Sequence, residues 1–146
     1  MNIHIVEREI TREEIDIIHN GFDECAIDKG VLVQDSERIE CAALDGSELV
    51  GAVSGLAYKN GDVFSGWFYL TDLFVKKEYR FQGVGSVLLS TLEGKLIEIG
   101  IARIWTWTAG YEAPGFYKKH GYQVFAEFEN WYSNGDSRIG LRKDLA

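Results

Sequence analysis

Two groups of residues in this chain have types and spacing suited to chemistry. The first is Arg80-Phe81-Gln82-Gly83-Val84-Gly85-Ser86, in which a cation precedes two glycines that stand one residue apart. Before it runs Trp67-Phe68-Tyr69-Leu70-Thr71-Asp72-Leu73-Phe74-Val75, an aromatic and β-branched stretch that reads as a buried strand. After it, Val84, Val87, Leu88, Thr91, Leu92, Leu96 and Ile99 recur at steps of three and four, which is one face of a helix. The glycines therefore sit where a strand hands over to a helix. The first N–H groups of a helix have no internal partner and lie at the positive end of its macrodipole, so such a turn is suited to an anion. Residues without a Cβ let the backbone curl its amides toward a bulky phosphate. Arg80, with Lys76 or Lys77, adds positive charge beside the turn, and the ligand this points to is a pyrophosphate.

The second group is Glu112-Ala113-Pro114-Gly115-Phe116-Tyr117-Lys118-Lys119-His120-Gly121-Tyr122. It reads as a short helix whose last residues, Lys118, Lys119 and His120, suit the negative end of its dipole, with Gly121 as the cap. Tyr117 within it is a phenol able to donate a proton. A lone tyrosine on such a helix is ordinary core packing, and the weight of this one comes from its company with the glycine turn. Two phosphate-binding patterns are excluded by what is missing. A P-loop needs Gly-Lys-Ser/Thr, where this chain has Gly85-Ser86-Val87, and a dinucleotide fingerprint needs a small residue where Leu88 stands.

Arg80-x-x-Gly83-x-Gly85, preceded by Leu73-x-Val75, resembles the acyl-CoA-binding motif of the GNAT superfamily of N-acetyltransferases. Ala113-x-x-x-Tyr117-x-x-x-Gly121-Tyr122 resembles the closing segment of the same family. The resemblance implies an α/β (α+β) GNAT acyltransferase fold, a mixed central sheet of about six to seven strands with helices on both faces, over residues 1–146 as one domain. It implies acetyl-CoA as co-substrate and no metal. The coenzyme would be held by Leu73, Phe74, Val75, Arg80, Phe81, Gln82, Gly83, Val84, Gly85, Ser86 and Tyr117. The phenol of Tyr117 would meet the leaving thiolate as a general acid, and a backbone N–H around Leu73 to Val75 would receive the oxyanion. The family's pantetheine arm enters between the strand that ends at Val75 and the next one in the sheet. Its acceptors are primary amines on small molecules or on proteins, and homodimerisation is a family habit. The chain departs from a common family pattern at Gly110, where an asparagine that helps to hold the coenzyme often stands.

The remaining elements must position these residues. Asn2 to Val6 alternates as a short strand. Ile10-Thr11-Arg12-Glu13-Glu14-Ile15 carries a helix start, with Thr11 and Glu14 as a capping box and Ile10 against Ile15 as a staple. Ile15, Ile18, Phe22, Cys25 and Ala26 continue a stripe expected to be buried, and Gly30 is a stop. Asp45-Gly46 and Asn60-Gly61 mark two hairpin turns between strands, so three antiparallel strands lead into the glycine turn. Gly51 and Gly55, on one face of the middle strand, mark a bulge or a close approach. Gly100 ends the long helix. Ala102 to Thr108 is then a strand that a crossover makes parallel to its predecessor, with Trp105 and Trp107 on one face. Two last strands, Tyr122 to Phe128 and Ser137 to Arg142, flank a loop carrying Trp131 and Tyr132.

An amine acceptor must lose a proton, because only about one lysine-like amine in a thousand is neutral at pH 7. Asp72 is the nearest carboxylate to the end of the strand. Strict alternation sets it on the face opposite Tyr69 and Thr71 unless a bulge intervenes. Glu127 and Glu129 are rivals, as is a water chain with no dedicated base.

Composition narrows the partners. The chain has 146 residues with 15 basic and 23 acidic side chains, a net charge of −8, which disfavours nucleic acid and anionic membrane and leans toward a small cationic amine. Cys25 and Cys41 read as buried thiols of a reducing compartment, and without a membrane-length apolar run or a signal-like start a cytoplasmic protein is expected. His4, His19 and His120 show no metal-ligand spacing with the cysteines. The alternative reading is a non-catalytic acyl-CoA or nucleotide-binding regulatory module, which would need the glycine turn but not Tyr117.

Overall fold

The structure is a computed structural model that describes residues 1–145. In chain order it contains α1 (Arg12–Asp28), β1 (Gln34–Asp45), β2 (Glu48–Asn60), β3 (Val63–Val75), a 3-10 turn (Lys77–Tyr79), α2 (Val84–Glu98), β4 (Arg103–Ala109), α3 (Pro114–Lys119), β5 (Gln123–Phe128) and β6 (Arg138–Asp144). The chain divides into two compact units, the first Met1–Gln34 and the second from Asp35 onward.

In the first unit the helix start is as the sequence implies. The Thr11 hydroxyl accepts from the Glu14 N–H, and the Glu14 carboxylate accepts from the Thr11 N–H. Both guanidinium NH₂ groups of Arg8 donate to the same carboxylate at 2.8 Å, and this pairing, ahead of the Thr11 bonds, holds the Glu14 carboxyl down at about 2. Two expectations fail here. Residues 2–6 form no strand, because so short an alternating segment needs a partner ladder that it does not have. The stripe of Ile15, Ile18, Phe22, Cys25 and Ala26 is not buried, and Phe22 is 70% exposed. Periodicity records which face of a helix is apolar, not whether anything covers it. The cysteine expectation falls likewise, since Cys25 is exposed and Cys41 half-buried, both as free thiols.

The second unit is a six-stranded mixed sheet in the order β1-β2-β3-β4-β6-β5. β2 and β3 pair antiparallel, β3 and β4 parallel, and β6 is antiparallel to both β4 and β5. The parallel pair is what a strand–helix–strand crossover through α2 requires. Leu88, Leu89, Leu92 and Leu96 of α2 are buried in one core with Phe68, Leu70, Ile104 and Leu141 of the strands and Tyr117 and Tyr122 of the α3 region. Each such side chain is worth about 1.5 to 3 kcal/mol of burial, which fixes α2 and α3 on one face of the sheet. A polar clasp adds register: Glu93 of α2 accepts from the Tyr122 hydroxyl at 2.7 Å and from Lys143 of β6 at 2.8 Å.

One irregularity in the sheet decides where the site lies. Ser54 faces Asp72 but Gly55 faces Leu70, so β3 carries one extra residue, Thr71, against β2. Its effect is visible in the packing: Leu70 lies in the core, and Leu73 and Val75 pack against that core, a spacing of three that no regular strand allows. Alternation therefore shifts at Thr71, and Asp72 comes to the Thr71 side of the sheet rather than the opposite one. The Thr71 hydroxyl is 2.8 Å from the Asp72 carboxylate and 3.1 Å from the Ser54 carbonyl, and it accepts from Arg38 at 3.2 Å. Arg38 also donates to the Ser54 hydroxyl at 2.7 Å, which in turn donates to Glu40.

Gly55 makes the bulge possible. A Cβ there would overlap the Tyr69 carbonyl and the Phe68 ring, both of which belong to the rigid centre of the sheet. Gly55→Ala is expected to cost about 3 kcal/mol and lower the unfolding midpoint by roughly 10 °C. Thermal denaturation followed by circular dichroism checks this, and an unchanged midpoint would mean that the sheet can yield there.

Candidate active site

The β3–β4 ladder runs from Trp67↔Arg103 to Leu70↔Thr106 and stops. Neither strand ends there: β3 stays paired with β2 as far as Val75, and β4 with β6 as far as Ala109. Beyond Leu70 and Thr106 the two parallel strands splay, and the inner backbone groups of residues 71–75 and 107–109 no longer satisfy one another. Buried backbone polar groups need partners, so this gap is a place for a ligand that can supply them. At its closed end the Thr106 hydroxyl, buried, donates to the Leu70 carbonyl at 2.8 Å and pins the last rung.

The splay opens into a cleft of about 930 Å³ lined by Thr71 to Val75, Tyr79 to Phe81, Gly83 to Ser86, Thr106 to Thr108, and Tyr111, Glu112, Ala113, Phe116 and Tyr117. Of the residues picked out from the sequence, Asp72, Leu73, Phe74, Val75, Arg80, Phe81, Gly83, Val84, Gly85, Ser86 and Tyr117 all line it. Gln82 does not; its amide turns back to the Glu78 carbonyl at 3.4 Å. Lys76 is also engaged elsewhere, in an ion pair with Glu48 at 2.8 Å that raises its pKa. Glu127 and Glu129, the rival bases, lie outside the lining.

At one end of the cleft α2 begins at Gly83, whose φ of +82° is the left-handed conformation that favours glycine. No side chain caps this helix start, so its first N–H groups face the cleft with the helix dipole behind them. Arg80 is tethered beside it by an Nε donation to the Val75 carbonyl at 3.0 Å. Tyr79 donates to Asp45 at 2.6 Å, which ties the turn to the β1–β2 hairpin. The Ser86 hydroxyl and His120 Nε2 lie 3.0 Å apart, joining α2 to the end of α3.

Tyr117 stands against Thr106, near the last rung. Its side chain is buried, 6% exposed, between the rings of Phe116 and Tyr122. Burial pushes its pKa up to about 12; the Thr106 hydroxyl works in the other direction and the charge of Glu112 reinforces the rise. Burial penalises the phenolate, so the group is held as a phenol. The cleft lining also carries Asp72 and Glu112, both exposed, with Trp107 and Tyr111. Tyr132 meets Tyr111 edge to face with ring centroids 5.1 Å apart, so the 129–137 loop buttresses this wall. Gly110, the departure from the family pattern, donates its N–H to the Ser137 carbonyl at 2.8 Å, and that loop fills the space where a larger side chain would lie.

Glu112, Trp107 and Thr106 had no role in the sequence reading. Glu112 opens the segment that contains Tyr117, and the two others sit on a strand whose faces could be read but whose unpaired end could not. A smaller hollow of about 340 Å³ lies among Trp67, Trp105, Trp107, Phe125 and Arg142. Its walls hold no acid, nucleophile or anion turn.

The comparisons agree with this geometry. Residues 35–124 match the family described as Acetyltransferase (GNAT) domain. An uncharacterized N-acetyltransferase of Bacillus subtilis, YjcF, is 35% identical over 113 residues, 77% of this chain and 74% of that protein. The L-ornithine N5-acetyltransferase NATA1 of Arabidopsis thaliana is 32% identical over 79 residues, 52% of this chain; the matched stretch spans only 34% of the Arabidopsis protein's length. An acetyltransferase crystal structure from Bacillus cereus superposes with a TM-score of 0.79 at 25% identity, covering 97% of each chain.

Thr106→Val keeps the side-chain shape and removes the hydroxyl that pins the last rung. It is expected to cost about 1 to 2 kcal/mol and to lower the unfolding midpoint by roughly 4 °C, with Thr106→Ser restoring most of it. A valine variant as stable as the wild type would show that the rung holds without this bond.

Proposed function

Because this chain belongs to the GNAT superfamily of N-acetyltransferases, we propose that it moves the acetyl group of acetyl-CoA onto the primary amine of a small cationic acceptor by direct attack. The observation that carries this reading is the β3–β4 ladder that stops at Leu70↔Thr106, with an anion-binding helix start at one end of the resulting cleft and a buried phenol at the other. A slender amide-bearing arm, a pyrophosphate and a thioester are the groups such a cleft accommodates in sequence.

The roles follow from chemistry. Gly83 to Ser86 and Arg80 take the pyrophosphate. The freed backbone groups of residues 71–75 and 107–109 pair with the amides of the arm, and an N–H from 73–75 supplies the donor for the oxyanion that develops on the acetyl carbonyl. Holding both reactants in one cleft supplies much of the rate. Tyr117 meets the departing sulfur. With its pKa at about 12 the phenol keeps its proton across the working range. A coenzyme thiol ionises near that of cysteine, about 8.5, so complete transfer from the phenol is uphill. Tyr117 therefore stabilises the thiolate chiefly as a hydrogen-bond donor, and the proton that the attacking amine gives up closes the balance.

The acceptor preference rests on the other wall. Asp72 and Glu112 present carboxylates, and Trp107 and Tyr111 present ring faces, a combination that attracts a cation. The net charge of −8 acts in the same direction. The Arabidopsis relative is named for L-ornithine, a compact diamine acid, and this supports an acceptor of that size and charge. In this reading Asp72, near the end of β3, takes the amine's proton; its presence in the cleft lining and its hydrogen bond with Thr71 support that role over Glu127 and Glu129.

Tyr117→Phe is expected to lower kcat at least tenfold while the KM for acetyl-CoA stays within about threefold, since the lost interaction forms only as sulfur departs. Because the folded pKa is raised, the wild-type rate should not fall through loss of this proton until the pH approaches 12. Steady-state kinetics by thiol release check both statements. Full turnover in the phenylalanine variant would remove the role of Tyr117, and an unchanged pH–rate profile in Asp72→Asn would remove that of Asp72.

A further inference from the structure

Phe81 is costly to the fold in two independent ways. Its φ is +63°, one of only two positive values at non-glycine positions among the described residues. Such backbone disfavours any residue with a bulky side chain. The other such residue, Asn130, is of a type that tolerates this conformation. Its phenyl ring is also fully exposed, at 105% of the reference area, so it returns no burial for the conformation it is held in. The phenylalanine gains no burial from the protein in return for its backbone conformation, and a ligand laid against the ring would supply that burial.

Its place says what that is. Phe81 lines the cleft between Arg80 and the Gly83 turn, where α2 begins. Of the rings that line the cleft Phe81 is the most exposed: Phe74 and Tyr111 are about half covered, at 50% and 56% exposure, and Tyr79 is committed through its hydroxyl to Asp45 at 2.6 Å. Acetyl-CoA is a linear molecule: thioester, pantetheine arm, pyrophosphate, then adenosine. With the thioester at Tyr117 and the pyrophosphate at the Gly83 turn, the adenine base is the next group outward. We propose that the Phe81 ring is a stacking platform for that adenine base, an inference that rests on the acetyl-CoA assignment made above. Aromatic rings stack on bases without needing hydrogen-bond readout, and the Arg80 guanidinium beside the ring can add a cation–π contact to the same base. The residue then serves coenzyme selection: it distinguishes the full nucleotide-bearing donor from a donor that ends at the phosphopantetheine.

The test compares two donors, acetyl-CoA and acetyl-4′-phosphopantetheine, which share the thioester, arm and first phosphate and differ in the adenosine end. Dissociation constants by calorimetry and unfolding midpoints are measured for the wild type, Phe81→Gly, Phe81→Asn and Phe81→Trp. Phe81→Gly and Phe81→Asn are expected to bind acetyl-CoA about tenfold more weakly, to bind acetyl-4′-phosphopantetheine as the wild type does, and to unfold at the wild-type temperature or a few degrees above it. Phe81→Trp is expected to keep or tighten acetyl-CoA binding. Unchanged acetyl-CoA affinity in the glycine variant, an equal loss for both donors, or a midpoint that falls would overturn the inference. A wild-type protein that binds neither donor would instead overturn the functional proposal on which it stands.

Discussion

The structure depends on one interruption: a parallel pair of strands that stops exchanging hydrogen bonds after Leu70↔Thr106 although both strands continue. Backbone groups are obligatory hydrogen bonders, and a sheet does not give up rungs in its middle without cause. Here each strand is secured along its outer edge, β3 by β2 as far as Val75 and β4 by β6 as far as Ala109, so the inner edges can part without the sheet coming apart. The extra residue at Thr71 re-aims β3 at the point of parting, and the absence of a side chain at Gly55 lets β2 follow it. The cleft is thus built from the centre of the sheet, the most rigid part of the molecule, rather than from loops.

Charge is distributed along that cleft in a useful order. The uncapped start of α2 and Arg80 contribute positive charge, while Asp72 and Glu112 contribute negative charge to the lining. An anion is favoured at the first and a cation at the second, and the phenol of Tyr117 lines the same cleft in a place where burial favours its neutral form. The scaffold under the phenol is unusually well tied: Tyr122, one turn on, donates to Glu93 of α2, which also receives Lys143 of β6. That arrangement fixes α3 against the helix whose uncapped first turn lines the cleft.

Much of this is legible in the sequence alone. The turn at Gly83 and Gly85, the hairpins at Gly46 and Gly61 and the Thr11–Glu14 capping box are local signals, each decided by residues within a few positions of one another, and each holds in the structure. What could not be read is what distant segments decide. The bulge is signalled only from the neighbouring strand, by Gly55, and that signal holds; that the extra residue is Thr71 has no signature on β3, because bonds to Ser54 and Arg38 from other strands decide it. The direction of Gln82 and the commitment of Lys76 to Glu48 depend on neighbours outside the motif. The strand expected at residues 2–6 and the burial expected along α1 failed for the converse reason: an alternating or periodic pattern states a preference, and a partner has to realise it. Glu112 carries no signal beyond that of a carboxylate at the head of a helix, a common choice there, and only its place in the cleft gives it another meaning.

The claim that the splayed strands hold the coenzyme is tested most directly by amide hydrogen exchange with and without acetyl-CoA. Residues 71–75 and 107–109 should exchange faster than the paired rungs at 67–70 and 103–106 in the free protein, and should gain protection together with 83–86 when acetyl-CoA is added but not when ATP is. Protection confined to 83–86, or equal protection by ATP, would contradict the account: the helix start would then be a general phosphate site and the gap between β3 and β4 no part of it.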